Sequence, residues 1–468
     1  MATESTSTKT ITEPSRQLKV VREVDVVVVG GGPGGIGSAV AAARTGAKTL
    51  LLERYGHLGG MATGGLVNII PNLSDITGRQ YLFGLNQELL DRLTARGAAS
   101  YPAKPDWGSA EDRVVDYYHK AALDWFYIRE DYKLKRNRVL YTAVVDPEVF
   151  KDELNDMVAE SGADLLLHAW GVLPIMEGNQ AKGVIFESKS GRQAVLAQVV
   201  IDSTGDGDLF VAAGAEFDNT LNPELRTAML ANVMWLTHVD VNKFINFRDG
   251  QAQDYEALMK EAATQGAHPH QFLSVLKNHE DCAWFHMFQP RADGQASDAM
   301  DVNELTRVDI QARKKALVTY DFYRKNVPGF EKSIIMTIAP QLGLQGGRRV
   351  IGEYTLTEKD LVTDEVFEDT IAVFANNDNG TISIDHPTLC IPYRTMVPKV
   401  VEGMLVACRA YSTADTINHQ FNIIPHCLAL GQAAGTAAAL AADAGVQPRA
   451  VDYATLRERL VKQGVYLG

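Results

Sequence analysis

The segment Gly30-Gly31-Gly32-Pro33-Gly34-Gly35 places glycine at the three fixed positions of a G-x-G-x-x-G pattern. Gly30 permits a tight turn out of a strand. Gly32 lets a pyrophosphate approach the backbone, and Gly35 lets the next helix pack closely on the sheet. The helix that opens at Pro33 and Gly34 offers unpaired amides and the positive end of its dipole to phosphates. Glu53, 23 residues after Gly30, stands where an acid accepts ribose hydroxyls, and Arg54 follows it. An acid at this position, rather than an arginine, implies that no 2′-phosphate is read.

The motif does not by itself separate NAD from FAD, and three later features favour FAD. Val199–Asp208 reads as a strand ending in a Thr204-Gly205-Asp206 turn that can pass under a dinucleotide. A helix over Asp146–Glu160 and a following hairpin fit an insertion within a large nucleotide domain. Near the C-terminus, Gly403–Cys408 leads to Arg409, placed to touch the pyrophosphate, and a helix opens near Ile424-Pro425. Its N-terminal dipole, aimed at the flavin N1/C2 carbonyl edge, would stabilise an anionic reduced ring.

Flavin chemistry also needs a side chain that takes or gives a proton, and histidine is the one poised near neutral pH. His419, in Thr416–Asn422, is expected in the connection between the last strand and the final helix, beside the isoalloxazine ring. Arg348 and Arg349 could clamp a substrate carboxylate through bidentate pairs. Tyr354, Arg394 and His386 are weaker candidates. His426 sits in a first helical turn, where the dipole disfavours the protonated form, so it is expected as a neutral hydrogen-bond partner. The four cysteines, Cys282, Cys390, Cys408 and Cys427, form no C-x-x-C pair. That argues against a disulfide framework, a redox-active cysteine pair and a thiolate zinc site, and no metal is expected.

The elements that position these residues follow from hydrophobic period. Val24–Val29 is a continuous β-branched run, as in a strand buried on both faces. Ser38–Arg44 is a small-residue helix ended by Gly46, and Lys48–Glu53 is a second strand, completing a β-α-β unit. Leu82–Arg96 carries helical spacing, and Val139–Thr142 and Ala163–His168 read as strands. Val184–Glu187 and Ala194–Ala197 read as a hairpin, with Val199–Asp202 as the next strand. Residues 230–375 are more polar, with helical periodicity and scattered aromatics. The final helix spans Pro425–Asp443.

Composition bounds the function. The chain has 468 residues, with 58 acidic against 45 basic, a net charge of −13. No excess of Lys and Arg exists for a nucleic-acid backbone. A membrane span needs about 20 consecutive apolar residues, and the Ala/Gly-rich stretch Leu428–Gly445 is broken by Gln432, Thr436 and Asp443. The N-terminus lacks the basic-then-apolar layout of a secretory signal. A cytoplasmic protein is the expectation.

Residues 24–65, 199–216 and 391–445 resemble the FAD-dependent oxidoreductases whose nucleotide domain is shared with glutathione reductase and fumarate reductase. The resemblance is carried by the β-α-β unit and by Leu58-Gly59-Gly60-Met61-Ala62-Thr63-Gly64-Gly65 after the ribose acid. Arg348–Thr357, Ile391-Pro392-Tyr393-Arg394 and Ala429–Thr436 carry it further. It implies bound FAD, with Gly60, Met61 and Ala62 near the cofactor, and a redox reaction on a small molecule. Similar proteins often have Arg-Glu-Ser before the paired arginines, whereas this chain has Gln345-Gly346-Gly347. His57 lies near the position through which fumarate-reductase relatives attach FAD covalently, but its spacing does not match.

The fold expected is α/β: a Rossmann-like FAD-binding domain with a central parallel sheet, carrying an inserted α+β substrate domain. Residues 1–20 form a disordered tail. The FAD-binding domain takes residues 21–75, 146–229 and 376–468, and the substrate domain 76–145 and 230–375. The activity expected is hydride transfer between a small organic substrate and flavin N5, as a dehydrogenase or oxidase, with His419 as proton acceptor or donor. A flavin monooxygenase and a non-catalytic dinucleotide-binding protein are the alternatives. The electron acceptor (oxygen, a quinone or a carrier protein) and a homo-oligomeric state are left open.

Overall fold

The computed structural model describes residues 10–120, 127–131, 133–277, 279–377 and 384–468. Of the expected tail, residues 1–9 lie outside the described residues, 10–18 have no regular structure, and the first strand already starts at Lys19. Strand β1 (Lys19–Val29) ends in Val26–Val29, each at most 3% exposed. Helix α1 (Pro33–Thr45) begins with proline, whose missing N–H costs nothing there, and ends at Gly46 in the left-handed conformation. Strand β2 (Thr49–Leu52) pairs in parallel with β1. Helix α2 (Leu85–Ala95) and helix α3 (Pro147–Ser161) follow. The Asp146 carboxylate caps α3 by accepting from the Glu148 and Val149 amides. Its other oxygen meets His279 Nε2 at 2.9 Å, tying α3 to the substrate region.

Strands β3 (Asp164–Leu166), β4 (Trp170–Glu177), β5 (Gln180–Ser188) and β6 (Gly191–Asp202) come next. β6 is one 12-residue strand where the sequence suggests a hairpin strand and then a separate buried strand. The period changes because the surroundings change along a single strand. Residues 191–196 pair with β5, and 199–202 run between β1 and the C-terminal strand, buried on both faces.

The block 230–375 hides a sheet. Strand β7 (Leu230–Thr237) is its centre, flanked by β8 (Ala283–Gln289) and, after helix α4 (Val302–Asn326), by β9 (Ile334–Ile338). Short strands at Phe272–Leu273 and Gly343–Leu344 complete it, all pairings antiparallel. β7 is buried along nearly its whole length, so it shows no alternation that a period search could find. Met234, Leu236, Phe285 and Met287 pack on Ala316, Phe322 and Tyr323 of α4. On the opposite face Val233, Trp235 and Trp284 pack with Leu66, Ile69, Val144 and Ala339.

Strand β10 (Met404–Val406), helix α5 (Asp415–Phe421) and helix α6 (Ile424–Ala444) close the chain's contribution to the nucleotide-binding part. The strand order there is β3-β2-β1-β6-β5-β4, with β10 parallel to β6. The drawn domain boundaries do not follow the packing everywhere. α2, assigned to the substrate side, docks on α6: the Leu85 amide donates to Gln432 Oε1 at 2.9 Å, and Asn86 Nδ2 to Pro425 O at 3.0 Å. The boundary at 375/376 cuts a two-stranded ribbon between Thr370–Ala375 and Thr388–Pro392.

α6 lies across α1, and glycine makes the approach one of backbone on backbone. A Cβ at Gly431 would stand 2.1 Å from Gly34 O, one at Gly435 2.1 Å from Ser38 O, and one at Gly37 2.4 Å from Leu428 O. α6 is also, among the described residues, the one helix long and apolar enough to cross a membrane, contrary to the sequence expectation. Of its most apolar 18-residue window, 72% is buried inside the protein, so those faces already have partners. Gly431→Ala should force the two helices apart and cost about 2 kcal/mol or more in chemical denaturation. A midpoint equal to that of the wild type would contradict this contact.

Candidate functional site

The glycines of the first loop are required for different reasons. Gly30 has φ +102°, and a Cβ there would lie 2.3 Å from Ser203 O. A Cβ at Gly34 would lie 1.8 Å from Ala407 O, and one at Gly35 1.7 Å from Gly30 O. Protein backbone therefore excludes a side chain at all three. Gly32 is different: nothing stands within 4 Å of its Cβ position, and its φ of −73° suits any residue. The protein leaves an open face there, as a pyrophosphate cradle requires. The first bond inside α1 runs from Ile36 N to Gly32 O at 2.9 Å, so the Gly34 and Gly35 amides precede the helical ladder. Gly60, whose Cβ would lie 3.1 Å from Gly32 Cα, forms the opposite wall with Met61 and Ala62, and Gly59 N donates to Gly31 O at 2.8 Å.

Glu53 is 6% exposed. Its Oε2 accepts from Gly31 N at 2.5 Å and its Oε1 from Tyr55 N at 2.7 Å. Burial pushes its carboxyl above the usual range, against the pull of these amide bonds. The acid thus holds the loop through both of its oxygens. Arg54 is exposed, its guanidinium 4.8 Å from the Tyr55 ring centre.

The second cradle is the turn after β6. Asp202 is fully buried and accepts from Thr204 N (3.0 Å), Thr204 Oγ1 (2.7 Å), Leu209 N (3.0 Å) and Phe210 N (2.9 Å). Gly205 has φ +94°, and a Cβ there would meet Arg409 Nη1 at 2.7 Å. Arg409 Nη2 donates to Asp206 Oδ1 at 2.7 Å. Arg348 donates from Nε to Asp206 O at 2.7 Å and from Nη2 to Asp208 Oδ1 at 2.9 Å. Burial, with Asp202 and Asp206 nearby, pushes Asp208 up to about 6 despite Arg348. Arg348 is therefore a tie between the substrate region and the dinucleotide turn. Asp202 and Asp208 were not singled out from sequence. The available signal was an Asp ending a strand just before Thr-Gly, the pattern of a side chain that caps a turn.

Arg349 is corrected. It is 1% exposed, and its donors go to Thr413 O, Gly347 O, Thr220 O and Asp218 Oδ2 (2.6 Å), with Asp415 at 3.6 Å. It braces the interior and presents no face to a substrate. Arg394 likewise pairs with both oxygens of Asp369, Tyr354 donates to Asp360 Oδ1, and His386 Nδ1 meets Asp364 Oδ2.

His419 lies in α5 rather than in a loop. Its Nδ1 accepts from the Arg226 amide at 3.2 Å. The Arg226 guanidinium reaches Gln345 Oε1 at 2.7 Å, and His419 O and Asn422 Oδ1 at 2.5 Å each. Asn422 Nδ2 donates to Gln345 O at 2.8 Å. With Nδ1 accepting, the neutral ring carries its proton on Nε2. Arg226 and Asn422 were missed, since neither falls in a recognisable motif. Ile424 is the first residue of α6, and burial takes nearby His426 down to about 3, its ring stacked on Phe374 at 4.0 Å. Burial, rather than its position in the first turn, keeps His426 neutral.

His57 Nε2 and Gln341 Oε1 each lie 2.4 Å from the Cβ position of Gly64. Burial, with Lys151 nearby, lowers the His57 pKa.

The family described as FAD dependent oxidoreductase matches over residues 25–460. The soluble pyridine nucleotide transhydrogenase of Mycobacterium tuberculosis (strain ATCC 25177 / H37Ra) is 29% identical over 195 residues, covering 40% of this chain and 36% of that protein. The thiamine thiazole synthase of Methanococcus vannielii is 46% identical over 73 residues, 15% of this chain and 28% of that one. The chain thus spans about a third of the length of these curated relatives. A geranylgeranyl bacteriochlorophyll reductase-like structure from Thermoplasma acidophilum is 15% identical, with a TM-score of 0.45 over 95% of this chain and 84% of that one.

Two predictions follow from the two cradles. Gly32→Ala should leave the apoprotein within about 0.5 kcal/mol of wild type and weaken FAD binding at least tenfold; equal FAD affinity by fluorescence titration would contradict the cradle. A carboxyl whose folded pKa is raised binds protons more tightly when folded. Stability from Asp208 should therefore be present near pH 3.8 and be lost as pH rises through about 6. Asp208→Asn should remove that component from the Tm-against-pH profile, and an unaltered profile would refute the assignment.

Proposed function

We propose that this chain, which belongs to the FAD-dependent oxidoreductase family, transfers a hydride between a small organic substrate and flavin N5, as a dehydrogenase or oxidase. The observation that carries this reading is the open face at Gly32, within a chain that matches the family over residues 25–460. Bound FAD supplies the hydride chemistry. The chain supplies position. The Gly34 and Gly35 amides would hold the pyrophosphate, Glu53 would take a ribose hydroxyl, and the Thr204-Gly205-Asp206 turn, steadied by Arg409, would also hold the dinucleotide. The N-terminus of α6 at Ile424 would offer its positive dipole end to the reduced ring.

His419 acts at the substrate. The Arg226 amide occupies Nδ1, and with the Arg226 guanidinium on the His419 carbonyl it fixes how the imidazole is presented. To take up a proton it must first break the contact with Arg226. Arg348 is a positioning residue in this scheme, and Arg349 has no part in it.

Under anaerobic conditions an alcohol, amine or enone substrate should bleach the flavin. His419→Ala should keep FAD bound and slow single-turnover bleaching about 10²-fold. Unchanged bleaching would remove His419 from the reaction. Product hydroxylation that requires oxygen, without anaerobic bleaching, would point to a monooxygenase instead.

A further inference from the structure

One face of the substrate-region sheet carries polar atoms that the protein leaves unsatisfied. Gln341 is 5% exposed, yet neither its Oε1 nor its Nε2 has a hydrogen-bond partner among the described residues. His286 Nε2 and His57 Nε2 are buried in the same condition. Two of the three meet at one segment, and the third lies on the sheet face that packs on it. Gln341 Oε1 and His57 Nε2 both lie beside Gly64, and Gln341 N donates to Gly64 O at 3.2 Å. His286 pairs with Val233 across β8 and β7, and paired residues share a face. Val233 packs with Leu66 and Ala339, so His286 lies on the face that meets the Gly64–Leu66 segment. Further along this face Trp235 and Trp284 close the packing completely, whereas His286 remains half-buried. Leu66 has φ +55°, a costly conformation for a branched residue and one that gathers at ligand sites.

Leaving a buried amide and imidazole unpaired is expensive. Each such group calls for an explanation, and a ligand that completes it is one. Burial takes His286 down to about 4, so it meets a ligand as a neutral donor and acceptor. We propose that His286 and Gln341 set substrate specificity, hydrogen-bonding a small hydroxylated or amide-bearing molecule against the Gly64–Leu66 segment and disfavouring purely apolar substrates. This rests on the reading above that a small molecule reacts at the flavin.

The test uses the FAD-loaded protein with His286→Phe and Gln341→Leu, which remove the polar atoms and keep most of the volume. Both variants should retain FAD at wild-type stoichiometry and raise Tm by about 1–2 °C, because an unsatisfied group has been replaced by an apolar one. Loss of FAD would assign the groups to the cofactor, and a fall in Tm would show them already satisfied in the resting protein. Either result overturns the proposal. The compound that bleaches the wild-type flavin should bear a hydroxyl, carbonyl or amide, with its half-saturating concentration raised about tenfold in His286→Phe. An apolar reductant, or unchanged half-saturation, also overturns it. A wild-type flavin that no compound reduces would instead refute hydride transfer, and the Tm comparison would stand apart from that failure.

Discussion

The contact on which the rest of the structure depends is the backbone approach of α6 to α1. Gly37, Gly431 and Gly435 leave no room for a Cβ between the two helices. That closeness does two things at once. It buries the small-residue faces of both helices against the parallel sheet, and it sets the height of the loop preceding α1 relative to β10. The carbonyl of Ala407, just beyond β10, fills the space beside Gly34. Segments almost 400 residues apart in sequence, Gly34 and Gly431, are thereby held as one surface.

The second level of organisation is ionic. Asp202 caps the turn after β6, Arg409 covers Gly205 and holds Asp206, and Arg348 brings the substrate-region segment onto the same turn. An acidic chain needs no field of surplus cations for a dinucleotide, since helix-start amides and a glycine cradle can meet phosphates. The half-buried arginines of this chain join elements together. Arg226 plays that part at the opposite end, gathering Gln345, His419 and Asn422 and deciding which nitrogen of His419 holds the proton.

Much of this was legible in sequence where the determinant is local. The G-x-G-x-x-G loop, the Asp146 cap with Pro147, and the left-handed ends at Gly46 and Gly162 are short-range rules, and the structure places each where the spacing suggests. β7 and β8 were not legible, because strands buried on both faces carry no period-2 signal and the long helix α4 dominates that region's pattern. α5 is only seven residues long, too short to show periodicity, so His419 read as a loop residue. Arg349 could not be told from a substrate clamp, since its partners Asp218, Thr220 and Thr413 lie up to 131 residues away. Gln341 and His286 carry no motif. Only the lack of a hydrogen-bond partner for Gln341 and for His286 Nε2 among the described residues draws attention to them.

The central claim is that this chain holds FAD in the cradle opened by Gly32. The most direct measurement is the visible spectrum of freshly purified protein, followed by acid precipitation and identification of any released nucleotide. The account predicts flavin absorbance that follows the protein, and FAD recovered in the supernatant in stoichiometric amount. Colourless protein that takes up no FAD on reconstitution would contradict it.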